Sequence, residues 1–509
     1  MLARIWSASL IGIDAVKVGV EVDLSGGLPG VVVVGLPDAA VQESRERVKA
    51  ALKNAGFPFP MRKVVVNLTP ADLRKEGPIY DLPIAIGILA ASDLVSQTLL
   101  DDYLLLGELS LDGTLRAVSG VMAIAAAAQQ LGLKGVILPQ ANAQEAAVVP
   151  GLDVHGCGTI AEVVELLNQP GSHSPVTLDG RAVLNQSRAT PLDLRDVKGQ
   201  VQARRALEIA AAGGHNLVLI GPPGSGKTML ARRLPGILPD LSFEEALEVT
   251  QIHSVAGLLK EKGSLVTHRP FRSPHHSASG PSLVGGGSFP KPGEISLAHR
   301  GVLFLDELTE FNRKVLEFLR QPLEDGFVSI TRTRQSVEFP AQFTLIASTN
   351  PCPCGYFGDS VHPCTCTPRL REQYWAKLSG PLMDRIDLQV VVNRLKPEEM
   401  MQQPQEEDSA TVRTRVQAAR DLAQLRFQDE NAVQCNADMQ SHHLPRWCTL
   451  TDDTRTLLEH AVRKLGLSAR ATDRILKVAR TIADLAASDQ VTTVHVAEAI
   501  QYRTIDRMQ

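Results

Sequence analysis

The stretch that most restricts the fold is "HNLVLIGPPGSGKTMLARRLPG", residues 215–236. Four apolar residues, 217–220, make a buried strand, and the pattern G-x-x-x-x-G-K-T that follows opens into a helix-forming run. Such a strand–loop–helix unit belongs in a parallel sheet flanked by helices, so the centre of the chain is predicted to be α/β. The loop Gly221, Pro222, Pro223, Gly224, Ser225 and Gly226 can curl its N–H groups and the helix start toward phosphate oxygens. Lys227 is placed to reach the β- and γ-phosphates and Thr228 to ligate Mg²⁺, which makes ATP and Mg²⁺ the expected cofactors.

Downstream, "GVLFLDE" (301–307) reads as a second buried strand with two carboxylates at its carboxyl end. In open α/β sheets ligands bind at those ends. Asp306 suits the Mg²⁺ shell, and Glu307 suits the base that polarises an attacking water. The next apolar strand, "FTLIASTN" (343–350), ends in Asn350, an amide able to hold that water against the γ-phosphate.

Around this centre, strands and helical stretches alternate over residues 1–169 as an α+β domain. Residues 170–190 are rich in Pro, Gly and Ser and read as a linker. The parallel-sheet unit extends over 191–395, and 396–509 is almost wholly helical in period. No apolar run reaches the roughly 18 residues needed to span a bilayer. The N-terminus runs straight into strand pattern, so a cytoplasmic protein without a membrane partner is expected. A net charge of −4 gives no global sign of nucleic acid, which leaves a local patch as the only route to such binding.

The order of these motifs resembles the AAA+ ATPases, and further segments carry the likeness. "DLRDVKGQ" (193–200) looks like the adenine-side segment, and "SGPLMDRIDLQVVV" (379–392) like the arginine-finger motif, with Arg385 entering a neighbour's site. "LSARATDRILKVARTIADL" (467–485) looks like the second sensor helix, with Arg470 at its start. A planar, permanently charged guanidinium suits charge spread over phosphoryl oxygens. The insertion at 268–301 and the alternating stretch 324–343 occupy the places of the helix-two insert and pre-sensor hairpin of the magnesium-chelatase-like branch. In that branch both project into a central pore. Arg332 and Arg334, two apart on the hairpin, would then line an anion track for single-stranded or branched DNA. An ordinary charged hairpin edge is the alternative.

The first domain, through "RKEGPIYDLPIAIGIL" (74–89) and "GELSLDGTLRAVSGVMAIAAAAQQLGLKGVILPQAN" (107–142), resembles the Lon protease domain. The serine position of that family is Ile79 here and the lysine position is Met122, so no peptidase activity is expected. An inactive Lon-like domain before a magnesium-chelatase-like AAA+ core and a C-terminal helical lid is the arrangement of the bacterial ComM/YifB competence-protein family. That resemblance implies a hexameric, ATP-driven helicase or branch-migration motor that works on recombination intermediates during natural transformation, alongside recombination proteins. A chelatase-type motor, or a remodelling ATPase with no DNA role, are the alternatives.

Four of the seven cysteines, Cys352, Cys354, Cys364 and Cys366, follow Asn350 at once as two Cys-x-Cys pairs. Four close thiolates suit a tetrahedral structural Zn²⁺ site, with His362 as an alternative ligand. Redox-active dithiols and plain buried thiols are the other readings.

Overall fold

The computed structural model describes all residues except 1, 187–191, 260–264, 288–289, 333–334, 379, 396–405, 431–432 and 504–509. The N-terminal part is built on a seven-stranded sheet. Its strands are β1 (Leu2–Ile11), β2 (Asp14–Ser25), β3 (Gly30–Val34), β4 (Lys63–Thr69), β5 (Tyr103–Leu105), β8 (Gly135–Pro139) and β9 (Asp153–Cys157). A small hairpin of β6 (Glu108–Leu109) and β7 (Leu115–Arg116) lies between β5 and β8 in the chain. The order is β3-β4-β2-β1-β5-β8-β9, antiparallel at the β1–β2 and β2–β4 pairs and parallel elsewhere.

The helices Ala39–Asn54 and Asp81–Ala91 cover one face. The second of these is buried along its whole length, which fits its uninterrupted apolar sequence. Met122 is buried in one N-terminal core, and Ile79, partly buried, packs against that core and its neighbour, so both side chains fill interior space.

The central part holds a five-stranded, all-parallel sheet in the order β11-β14-β17-β10-β18. Its members are β10 (Leu217–Ile220), β11 (Phe271–Arg272), β14 (Val302–Leu305), β17 (Thr344–Thr349) and β18 (Leu388–Val391). The three central strands are buried throughout, as a sheet covered on both faces requires. Two hairpins stand off this sheet: β12 (Gly285–Gly286) with β13 (Lys291–Pro292), inside the insertion, and β15 (Phe327–Arg332) with β16 (Gln335–Pro340). The two touch, since a Cβ on Gly285 would lie 3.0 Å from Ile330 Cδ1. The C-terminal part is helical, with Ser409–Arg426, Asp452–Leu465, Ala469–Leu485 and Thr493–Gln501 as its main helices. No described helix is long and apolar enough to cross a membrane.

The stretch 170–190 differs from the linker expected. It carries a helix, Gly180–Gln186, started by the Asp179 carboxylate, which accepts from the N–H groups of Arg181 (3.0 Å) and Ala182 (3.1 Å). Val176, Leu178, Val183 and Leu184 pack against the N-terminal core together with Phe243. Their apolar spacing was too short to stand out among the surrounding Pro, Gly and Ser. A second joint ties the two parts: the Ser254 hydroxyl donates to the Glu145 carboxylate, and Gln251 donates to the carbonyl of Ile13 at 2.7 Å.

Candidate functional site

At the carboxyl end of β10 the chain turns through 221–226 and starts the helix Lys227–Ala231. The turn needs its glycines: Gly226 has φ +92°, and a Cβ on Gly221 would sit 2.2 Å from the carbonyl oxygen of Val392. The Lys227 ammonium donates to the carbonyls of Gly221 (2.7 Å) and Pro222 (2.9 Å) and to Asn350 Oδ1 (3.3 Å). Burial lowers the Lys227 pKa, opposed by Asp306 and Glu307. Beside it the Thr228 hydroxyl donates to Asp306 Oδ2 at 2.8 Å. A hydroxyl and a carboxylate meeting at one point are hard oxygen donors of the kind Mg²⁺ takes. Ser225 Oγ is buried in the loop with no protein partner, a hydroxyl left for a ligand oxygen. The residues present therefore fit a magnesium–triphosphate.

The structure brings together Lys227, Thr228, Asp306 and Asn350 as the motifs required. It adds Ser348, whose hydroxyl donates to Asp306 Oδ1 and accepts from the Glu307 N–H at 3.3 Å. Only the parallel pairing of β14 with β17 brings Ser348 there. The Ser-Thr-Asn run contained it but gave no reason to single it out. Glu307 follows in the left-handed region at φ +55°, with its side chain more than half exposed. The segment 193–200 lies alongside: Gln200 donates to the carbonyls of Asn393 (2.6 Å) and Ser225 (3.4 Å).

Arg385 and Arg470 lie elsewhere. Arg385 pairs with Glu324 and donates to the Pro381 carbonyl at 2.7 Å; Arg470 faces Asp384 at 3.8 Å. Both line a cleft of about 1430 Å³ between the central sheet and the C-terminal helices, together with Asn216, Arg300 and Arg474. Asn216 directly precedes β10, so this cleft opens at the amino ends of the strands, whereas the Lys227 loop lies at their carboxyl ends. Four strand residues separate the two by about 13 Å. The two arginines are thus near each other and apart from this chain's own Lys227.

Past Asn350 the chain enters the cysteine cluster. The four sulfurs lie within 4.8 Å of one another, with Cys352–Cys354 at 3.3 Å, Cys352–Cys364 at 3.7 Å and Cys354–Cys364 at 3.6 Å. A tetrahedral Zn²⁺ with Zn–S bonds of about 2.3 Å sets sulfurs about 3.8 Å apart, so the donor set fits. All four are free thiols, and the His362 ring instead lies tilted against Tyr356 with centroids 5.0 Å apart. Burial pushes the Cys352 thiol up to about 12, while the Tyr356 N–H draws Cys354 down to about 5. The loop also touches the nucleotide site, since a Cβ on Gly355 would lie 2.8 Å from Pro223 Cδ.

Of the two hairpin arginines, Arg332 closes β15 and Arg334 lies outside the described residues.

Three models of magnesium-chelatase proteins match the chain in succession: subunit ChlI of Mg-chelatase over 20–142, magnesium chelatase subunit ChlI over 193–400, and its C-terminal part over 406–503. The protein YifB of Escherichia coli is 45% identical over 516 residues, covering 100% of this chain and 98% of that protein. Competence protein ComM of Haemophilus influenzae is 46% identical over 514 residues, again 100% of this chain and 98% of that protein. Lon protease 2 of Bacillus subtilis is 27% identical over 192 residues, 33% of this chain and 34% of that one.

Proposed function

Because the chain belongs to the ComM/YifB family of magnesium-chelatase-like AAA+ proteins, we propose that it is an ATP-driven ring motor that acts on DNA. The observation that carries this reading is the split of the phosphate machinery. Lys227, Thr228, Asp306 and Asn350 converge at one end of the sheet, and Arg385 with Arg470 at the other. Two arginines that lie away from their own Lys227 are free to complete a neighbour's site, which supports head-to-tail assembly, here read as a hexameric ring.

In that ring Lys227 and the loop amides bind the triphosphate, and Thr228 and Asp306 hold Mg²⁺. Glu307 polarises the attacking water while Asn350 orients it. Arg385, with Arg470 beside it, stabilises the charge on the neighbour's γ-phosphate. The cysteines hold a structural zinc that fixes the loop between Asn350 and Arg385. The chain is read as a Lon-like domain without peptidase residues, an AAA+ core and a helical lid. The DNA track is the hairpin β15–β16, with Arg332 and Arg334, and the substrates are branched recombination intermediates in competence.

The test is unwinding of a fork or four-way junction with ATP, with Lys227→Ala as control. ATP-dependent unwinding lost in Lys227→Ala supports the motor; hydrolysis without any unwinding or DNA binding favours a remodelling ATPase. Arg332→Ala with Arg334→Ala should weaken DNA binding, most at low salt, and leave basal hydrolysis unchanged. Equal affinity for DNA removes the hairpin from the track.

A further inference from the structure

The turn between β1 and β2 leaves the N-terminal sheet and ends against the hairpin β15–β16. β1 finishes at Ile11 and β2 starts at Asp14, so Gly12 and Ile13 make the whole connection. Ile11 and Ile13 pack against the central core that holds Val328, Ile330, Val337 and Phe339 of the hairpin, and Ile11 packs against an N-terminal core as well. Between them Gly12 has φ +66°, and a Cβ added to it would lie 2.5 Å from Val337 Cγ1. The valine already fills that space, so only a glycine lets the turn come this close.

A second contact fixes the turn from another side. Gln251, on the helix Phe243–Val255, donates to the Ile13 carbonyl at 2.7 Å, and Ser254 on the same helix holds Glu145 of the N-terminal part. A two-residue turn around a left-handed glycine ordinarily faces solvent. This one is clasped between a helix and a hairpin of the central part. Val337 pairs with Ile330 across the hairpin, so pressure on Val337 bears on the strand that ends in Arg332.

We propose that the β1–β2 turn is a strut that seats the hairpin β15–β16 for DNA, with Gly12 as the positioning residue that sets how far the hairpin stands from the N-terminal sheet. The inference rests on the reading of that hairpin as the DNA track. The turn acts through Val337, and what it controls is the fraction of hairpins held where Arg332 and Arg334 meet phosphate. An extra methyl in a filled contact disfavours the packed arrangement about tenfold or more, and the apparent affinity falls with the fraction still seated.

The experiment compares the full-length protein with Gly12→Ala, with Gly12→Ala combined with Val337→Ala, and with Arg332→Ala combined with Arg334→Ala. Anisotropy of a labelled DNA fork gives the affinity, and hydrogen exchange over 327–340 without DNA reads the seating. Gly12→Ala should bind the fork at least about threefold more weakly and exchange its hairpin amides faster. Adding Val337→Ala should restore both, because with Cγ1 gone the nearest atom of residue 337 is its Cβ at 3.9 Å, an ordinary contact. That recovery separates the strut from strain in the turn itself, which alanine at φ +66° keeps in both variants. Equal exchange in Gly12→Ala and wild type overturns the strut whatever the DNA does, and so does a double variant as impaired as Gly12→Ala. Faster exchange with wild-type fork affinity overturns its bearing on DNA. An arginine variant that binds the fork as tightly as wild type overturns the reading of the track instead.

Discussion

Replacing Cys352 by serine tests the metal clamp at the sulfur that is most buried. The sulfurs join Cys352 to Cys366, so a bound ion closes a loop of about 15 residues, and opening it returns roughly 3 kcal/mol of chain entropy to that segment. Protein contacts remain besides the metal: the Trp375 indole on the Pro351 carbonyl at 3.2 Å brackets the whole segment, and Arg394 with Asp359 at 3.3 Å and the Tyr356–His362 ring pair hold its middle, so the full loop entropy is the upper figure. At about 1.4 kcal/mol per tenfold, local opening should become roughly a hundredfold more frequent. The reporters are the amides of Cys354 and Cys366, which donate to Cys366 Sγ at 3.3 Å and Cys364 Sγ at 3.4 Å. Metal analysis should find about one zinc per wild-type chain, as one Cys₄ site requires, and almost none in Cys352→Ser. Hydrogen exchange at the two amides should accelerate by the stated factor, and nucleotide turnover should fall as the loop loosens against Pro223. A wild-type protein that neither carries nor takes up zinc, or equal amide protection in both forms, refutes the reasoning.

Asp387 is buried, which by itself would raise its carboxyl, but Arg474 and His215 hold it well below the usual range, and it accepts from Asn216 N–H at 3.0 Å. Asp387→Asn leaves Arg474 without its counter-charge and should cost about 3 kcal/mol in a denaturant melt; a loss near zero contradicts the pairing. Glu248 is held down to about 2, first by its hydrogen bond with His299 and then, against burial, by Arg300. Its folded pKa is depressed, so its stabilisation is complete above the ordinary value near 4.5 and lost as pH falls toward about 2. In Glu248→Gln that part of the acid-denaturation curve should flatten. Gly355→Ala, at φ +85° and with its added Cβ 2.8 Å from Pro223 Cδ, should weaken ATP binding in a filter or fluorescence titration while zinc content stays at the wild-type level.

The motifs that carry chemistry were legible where their residues are adjacent in sequence. A strand, a glycine turn and a helix start are one local unit, so 217–228 could be assigned from spacing alone, and the structure gives it that form. The four cysteines lie within 15 positions and come together as two close pairs would. The hairpin at 327–340 announced itself by alternation about a turn. Met122, in one of the two segments that carry the Lon-like likeness, is buried in the N-terminal core.

What escaped the sequence depends on which strands and helices become neighbours. Ser348 reaches Asp306 only because β14 pairs with β17. That Arg385 and Arg470 lie close together, at the end of the sheet opposite Lys227, also follows only from the strand order. Residues 176–184 read as a linker because few apolar side chains among prolines and glycines carry no period, yet they find a ready groove beside Phe243. Local patterns fix which backbone a segment adopts and which donors it offers. Strand order is set by the burial of whole faces across the chain, and that cooperative choice decides which of those donors meet.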